Sequence, residues 1–259
     1  MADERAMQLL EKLIFYPYPL RVLLGQKLKN RLRGFTREQY YIAIRRAAVE
    51  SAQLGCDRVT IVEFGVASGT GLLEIEAICS YLEKRFPVTF DIVGFDTGRG
   101  LPPPQDWRDR PWKWSEGWYD MDIDGLKRRL RRAQLVIGDV AATVRDFLTD
   151  GPRSPLGAVV FDLDYYSSTK AALALLEHPD NTKTLPRVLC YFDDVGDIED
   201  VGPMRAISEF NSENDMRRIK PYLSRPTLTL DYDVRWKLFE FHNFEHPLYN
   251  RLIRNETRL

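Results

Sequence analysis

The sequence predicts a doubly wound α/β domain: a mostly parallel sheet, an antiparallel hairpin at its C-terminal edge, and a helical cap at the N-terminus. Three observations predict it. Five short apolar, β-branched runs alternate with helical periodicity between residues 59 and 218, the pattern of parallel strands buried on both faces. The first run ends in a glycine-rich turn that leads straight into a helix, where such sheets bind nucleotides. The last two runs are joined by a very short turn, too short for a crossover, and read as a hairpin.

Taken in order, residues 1–50 form the predicted cap and 51–259 the main domain. Ala6 to Phe15 carries apolar residues at helical steps, and Thr36 precedes a second apolar stripe that reaches Glu50. Between them RVLLGQKLKNRLRG is basic and amphipathic. A solvated helix face is its plainer reading, beside a membrane or nucleic-acid surface. VTIVEF (59–64) is the first strand, followed by a helix to about Arg85, and FDIVGF (90–95) is the second. LVIG (135–138), AVVFDLD (158–164) and RVLCYFDD (187–194) follow, with helices at 141–149, 169–177 and 203–218. TLTLDYD (227–233) and RWKLFEFHNF (235–244) make the hairpin.

Composition removes several classes of function. At 259 residues, 44% hydrophobic and 29% charged, the chain is neither disordered nor fibrous. Thirty-seven basic residues against thirty-eight acidic give a net charge of −1, so no global field draws nucleic acid or anionic membrane. Cys56, Cys79 and Cys190 form no CxxC, which argues against a disulfide framework or zinc site and fits a reducing cytoplasm. No apolar run approaches a membrane span, and the opening residues make a poor secretory signal. A small-molecule partner is expected; homo-oligomerisation stays open.

The first strand ends in Glu63-Phe64-Gly65-Val66-Ala67-Ser68-Gly69-Thr70-Gly71. Small residues at 65, 67, 69 and 71 let the backbone turn sharply and approach a ligand at the helix N-terminus. The spacing is neither the dinucleotide G-x-G-x-x-G nor a P-loop. It suits S-adenosylmethionine-dependent methyltransferases and short-chain dehydrogenases. Glu63, two residues before the first glycine, and the depth of the loop in the chain favour the former. Tyr166-x-x-x-Lys170 matches the latter, but follows a strand ending in two aspartates. The expected cofactor contacts are Glu63, Gly65, Ala67, Ser68, Gly69 and Gly71, with Asp96 on the ribose and Asp139 facing the adenine amino group.

Four carboxylates end the next strands: Asp162 and Asp164, then Asp193 and Asp194. Residues two apart on a strand share a side, and neighbouring strands bring all four to one edge. Charges that close require a raised pKa or a cation. Oxygen ligands favour Mg²⁺, with Mn²⁺ or Ca²⁺ also suited; helix and turn capping is the alternative for single members.

Phe95-Asp-Thr-Gly-Arg-Gly-Leu-Pro102, Asp162-Leu-Asp-Tyr-Tyr-Ser-Ser-Thr-Lys170 and Phe192-Asp193-Asp194 resemble, in order, the "FDSFEGLP", "D-x-D-L-Y-x-S-T" and "DD" segments of macrocin-type sugar O-methyltransferases. The resemblance covers about residues 59–195. It implies a Rossmann-like class I methyltransferase fold, S-adenosylmethionine and Mg²⁺, with Asp162, Asp193 and Asp194 as metal ligands and Asp164 as the base. Gly98 and Arg99 replace an aromatic–acid pair of the family, and Pro103 to Tyr119 matches nothing in it.

That unmatched stretch holds four of the five tryptophans, Trp107, Trp112, Trp114 and Trp118. Rings among Arg and Lys suit stacking on a sugar or aromatic face, or a lid; a local hydrophobic cluster is the other reading. Tyr166 is a further candidate for the substrate side, and His242 and His246 are secondary candidates for the base. The function expected is methylation of a hydroxyl on a sugar-containing or polyhydroxylated small molecule. The alternatives are an NADP-dependent dehydrogenase-like enzyme and a non-catalytic binding protein of the same fold.

Overall fold

In the computed structural model the described residues are 34–150, 154–195, 200–222, 237–251 and 253. The strands are β1 (Arg58–Phe64), β2 (Thr89–Asp96), β3 (Gln134–Ile137), β4 (Leu156–Phe161), β5 (Thr184–Phe192), β6 (Arg217–Pro221) and β7 (Leu238–Asn243). They form one sheet in the order β3-β2-β1-β4-β5-β7-β6. The first five are parallel, and β7 runs antiparallel to both β5 and β6. The α-helices are α1 (Glu38–Leu54), α2 (Thr70–Leu82), α3 (Ile123–Arg129), α4 (Val140–Asp150), α5 (Tyr166–Leu173) and α6 (Gly202–Glu213). None among the described residues is long and apolar enough to cross a membrane.

Three elements differ from expectation. The antiparallel partner of β7 is β6, which begins in the last two residues of the stretch read as a helix at 203–218 and runs on to Pro221. One residue of β6, Ile219, is buried, and its charged neighbours and Pro221 hide the strand pattern as they do on many edge strands. Asn211 brackets Ile219, donating to its carbonyl (2.8 Å) and accepting from its N–H (2.8 Å). The 227–233 run lies outside the described residues, and both edges of β7 are already paired. Second, α3 is an added short helix, capped by the Asp122 carboxylate on the Gly125 N–H. Third, α1 runs on to Leu54, past the expected cap boundary, and Thr36 does not cap it. Glu74 from α2 accepts the Thr36 and Arg37 N–H groups instead. Helix α1 buries Tyr40, Ile44, Ala47 and Ala48 against the sheet. The 6–15 helix and the basic stretch at 21–34 fall outside the described residues except for Gly34.

The carboxyl ends of the central strands are tied together twice. Phe95, Phe64, Phe161 and Phe192 close β2, β1, β4 and β5, and their rings stack in a row at 4.9, 5.4 and 4.4 Å between centroids. All four are buried. Just beyond them the ladder continues: Asp193 N–H donates to the Phe161 carbonyl, Asp162 to Phe64, Gly65 to Phe95, and Gly138 to Asp96. Phe161 touches both neighbours in the row, so Phe161→Ala should cost about 3–5 kcal/mol in urea-induced unfolding.

Candidate active site

Directly above the phenylalanine row lies a cavity of about 440 Å³. It is lined by Gly65, Ala67 and Asp96, by Asp162, Asp164, Asp193 and Asp194, and by Trp114 and Tyr119. The residues that follow β1, β2, β4 and β5 therefore meet in one space.

The loop after β1 is tight for internal reasons. Gly65 has φ +79°, and a Cβ there would meet the Asp162 carbonyl oxygen at 1.9 Å. A Cβ on Gly71 would meet the Glu63 carboxylate at 2.0 Å. Ala67 holds φ 46°, a region L-residues seldom adopt. Asp96 fastens the loop: its Oδ2 accepts the N–H groups of Val66 (2.8 Å) and Ala67 (2.9 Å), and its Oδ1 that of Gly98 (2.7 Å). Of the expected cofactor contacts, Glu63, Ser68, Gly69 and Gly71 lie behind or beside the cavity rather than in its lining. Glu63 is buried and accepts from Tyr40 Oη at 3.1 Å. Asp139 is exposed and caps α4 through the Ala141 N–H (2.9 Å), while its neighbours Gly138 and Val140 line the cavity.

The carboxylates converge, though by another route than strand alternation: β4 ends at Phe161, and Asp162 and Asp164 follow it in a loop. Ligand oxygens of Asp162, Asp193 and Asp194 all lie within 4.8 Å of one another. Asp164 is buried and hydrogen-bonds Asp194. Asp162 is exposed to the cavity; desolvation by the surrounding protein and the charges of Asp193 and Asp194 push its pKa up to about 7. Burial, Asp194 and Asp162 push Asp164 up to about 8. Asp194 is also raised, by burial and then by Asp193. Asp193 goes the other way. Burial opposes its ionisation, but hydrogen bonds from Lys237 Nζ (2.9 Å) and Tyr191 Oη hold it below the ordinary carboxylate range.

The tryptophan stretch is anchored by a fully buried acid. Asp109 Oδ2 accepts from Gln105 N–H and Ser167 Oγ, and Oδ1 from Ser167 N–H, each at 2.8 Å. Next to it Arg110, buried and at φ 56°, donates from Nη2 to the Asp164 carbonyl at 3.0 Å. Trp114 is the tryptophan that lines the cavity. Trp107, Trp112 and Trp118 are exposed, and Trp118 meets Trp114 edge to face at 6.3 Å. Tyr166 is buried outside the cavity lining. Its hydroxyl donates to Glu209 (2.6 Å), which also accepts from Lys170 (2.6 Å) and Arg205 (2.7 Å). The Tyr-x-x-x-Lys pair thus belongs to an ion network with α6. His242 and His246 sit at or beyond β7, away from the cavity lining, and His242 bonds Tyr249.

No protein-family model and no curated protein matches the chain. Solved structures do, among them two with TM-scores above 0.5. The calicheamicin methyltransferase CalS11 is 24% identical, with 92% of this chain and 91% of that one covered and a TM-score of 0.53. The O-methyltransferase NovP is 16% identical, with 78% and 79% covered and a TM-score of 0.54. The chain has the class I methyltransferase fold. In that fold the cavity lies outside the carboxyl ends of the strands, where β1 and β4 diverge to opposite sides, which is the ligand crevice of open α/β sheets.

Sequence reasoning missed Asp109, Arg110, Lys237, Tyr191 and Tyr40. Asp109 and Arg110 look like ordinary loop charges, Tyr191 reads as a core strand residue two positions before Asp193, and Tyr40 and Lys237 act from elements far away in the chain, where spacing carries no signal.

Glu63 predicts a pH effect. Burial and then Asp162 raise its pKa from 4.5 to about 8. The native state keeps a proton that the unfolded chain releases, so stability falls as pH rises from about 4.5 to about 8 and levels off above. Asp162 and Asp164 act in the same direction. In Glu63→Gln the decline should be shallower by up to about 1.4 kcal/mol per pH unit, read by chemical denaturation across that range.

Proposed function

We propose that the chain is an S-adenosylmethionine-dependent O-methyltransferase that methylates a hydroxyl of a sugar-containing or polyhydroxylated small molecule, with Mg²⁺ held by Asp162, Asp193 and Asp194. The observation that carries this reading is the carboxylate trio within 4.8 Å, set in the same cavity as the glycine loop. The family of the two similar structures, an O-methyltransferase and a calicheamicin methyltransferase, agrees with it.

The residues fit both groups. An all-oxygen donor set suits a hard divalent ion, and the pKa values of Asp162 and Asp194 are raised first by burial and then by neighbouring carboxylates, a repulsion that such an ion would relieve. Asp96 accepts three N–H groups with an acceptor capacity of about four, which leaves room for a ribose hydroxyl. Gly65 and Ala67 keep the floor of the cavity low enough for close approach. When bound, the cofactor supplies an electrophilic methyl group and the ion supplies the charge that lowers a hydroxyl's pKa.

The protein's own work is orientation and proton removal. Asp193 is kept ionised by Lys237 and Tyr191, so it offers a charged ligand without waiting for the pH to rise. Asp164, poised near neutral pH beside the trio, takes the proton of the attacking hydroxyl. The phenylalanine row excludes water from below. Glu63, Gly69, Gly71 and Ser68 shape the loop, and Asp139 with Gly138 and Val140 frames the adenine end.

Two measurements test this together. Calorimetry should detect S-adenosylmethionine binding, and chelation should abolish methyl transfer that Mg²⁺ restores; equal turnover in chelator sinks the metal role. Asp164→Asn should lower kcat about 10²–10⁴-fold with cofactor affinity unchanged, whereas Asp193→Asn should lower Mg²⁺ affinity itself.

A further inference from the structure

Three buried hydrogen-bond donors in or next to the cavity lining have no acceptor among the described residues: Trp114 Nε1–H, Tyr165 Oη–H and Arg110 Nε–H. Trp114 and Tyr165 both line the cavity, and Tyr165 is 1% exposed. Arg110 lies against them: it donates to the carbonyl of Asp164, the residue before Tyr165, at 3.0 Å, and its guanidinium carbon is 5.9 Å from the Trp114 ring centroid. A buried donor left unpaired costs about 1–3 kcal/mol, and folded proteins carry few of them. Three along one wall point to a ligand that supplies the acceptors.

The wall also belongs to this chain in particular. Tyr165 stands where the quoted family segment has leucine, and Arg110 and Trp114 lie in the stretch that family does not match. Charge narrows the ligand further. Four carboxylates face the wall, Arg110 is drawn to Asp164 and Asp194, and Lys237 is bonded to Asp193. Even with Lys113, whose Nζ lies 4.4 Å from the Trp114 ring centroid, these cations are outnumbered by the four carboxylates, and the net negative surroundings disfavour a phosphate.

We propose that Trp114 and Tyr165, backed by Arg110, form the acceptor-binding subsite, and that it takes a neutral, oxygen-rich group: the hydroxyl, ether or carbonyl oxygens of an uncharged glycoside, in preference to a sugar phosphate or a nucleoside diphosphate sugar. The flat face of the group lies against the Trp114 ring, and its oxygens receive the indole N–H and the phenol O–H. This rests on the O-methyltransferase reading and specifies its substrate class.

The test uses the full chain, with Tyr165→Phe and Trp114→Phe as variants. Cofactor binding is measured first by calorimetry; its absence in the wild type overturns the methyltransferase reading, not the subsite. With S-adenosylhomocysteine and Mg²⁺ present, saturation-transfer NMR then compares methyl hexosides and 6-deoxyhexosides with hexose 1-phosphates and nucleoside diphosphate hexoses. The neutral series should bind and the phosphorylated series should not. Each variant should weaken neutral binding roughly three- to tenfold with cofactor affinity unchanged. Thermal unfolding gives a readout independent of any acceptor: free Tyr165→Phe, relieved of an unpaired hydroxyl, should melt no lower than the wild type. A lower melting temperature, unchanged acceptor affinity in both variants, no binding of the neutral series, or better binding of the phosphorylated series overturns the proposal.

Discussion

The stacked row Phe95–Phe64–Phe161–Phe192, with the ladder hydrogen bonds just beyond it, sets the level at which four strands release the chain. Aromatic stacking at 4.4–5.4 Å holds the rings in register. Each backbone N–H beyond the rings is spent on the neighbouring strand's last carbonyl. Gly65, Asp162 and Asp193 consequently emerge at the same height, and a carboxylate cluster becomes geometrically unavoidable. The same closeness dictates glycine at position 65, because the carbonyl of Asp162 occupies the space a side chain would need.

Bringing carboxylates to one level has an electrostatic consequence that the neighbours distribute unevenly. Lys237 and Tyr191 both address Oδ1 of Asp193, so that group stays ionised and its other oxygen is free. Asp162 and Asp164 have no such pair of donors and hold protons up to about pH 7 and 8. One cluster therefore contains a ready anion and two groups that titrate near neutrality. This asymmetry supports the division of roles proposed above, a permanent ligand on one side and a proton acceptor on the other.

Much of this was legible in the sequence because strand ends are local. Phe-Gly, Phe-Asp, Phe-Asp and Phe-Asp-Asp each close a run of β-branched residues, and reading them in order is enough to place the glycine loop and the carboxylates at one edge. What was illegible depends on segments far apart in the chain. Asp139 stands at the strand end as expected, but its second task, capping the first turn of α4 through the Ala141 N–H, is not signalled by its position after β3. Tyr166 and Lys170 imitate a catalytic pair by spacing, yet Glu209 on α6 holds both. β6 has one buried residue among charges, which no periodicity can reveal.

The tryptophan stretch shows the same limit most clearly. Composition left two readings open, rings facing a substrate or a local hydrophobic cluster, and of the four rings Trp114 lines the cavity. The reason is Asp109: its fully buried carboxylate accepts two hydrogen bonds from Ser167 and one from Gln105, clamping the 3₁₀ turn at Trp107–Asp109 onto the start of α5, and the left-handed Arg110 then turns the chain. That turn directs Trp114 inward and leaves Trp107 and Trp112 in solvent. A segment anchored this firmly does not need to fold around a ligand at the moment of binding, so little ordering entropy opposes recognition. Its unpaired donors are then held in position before any acceptor arrives, which is how a wall that is costly in the free protein becomes selective in the bound one.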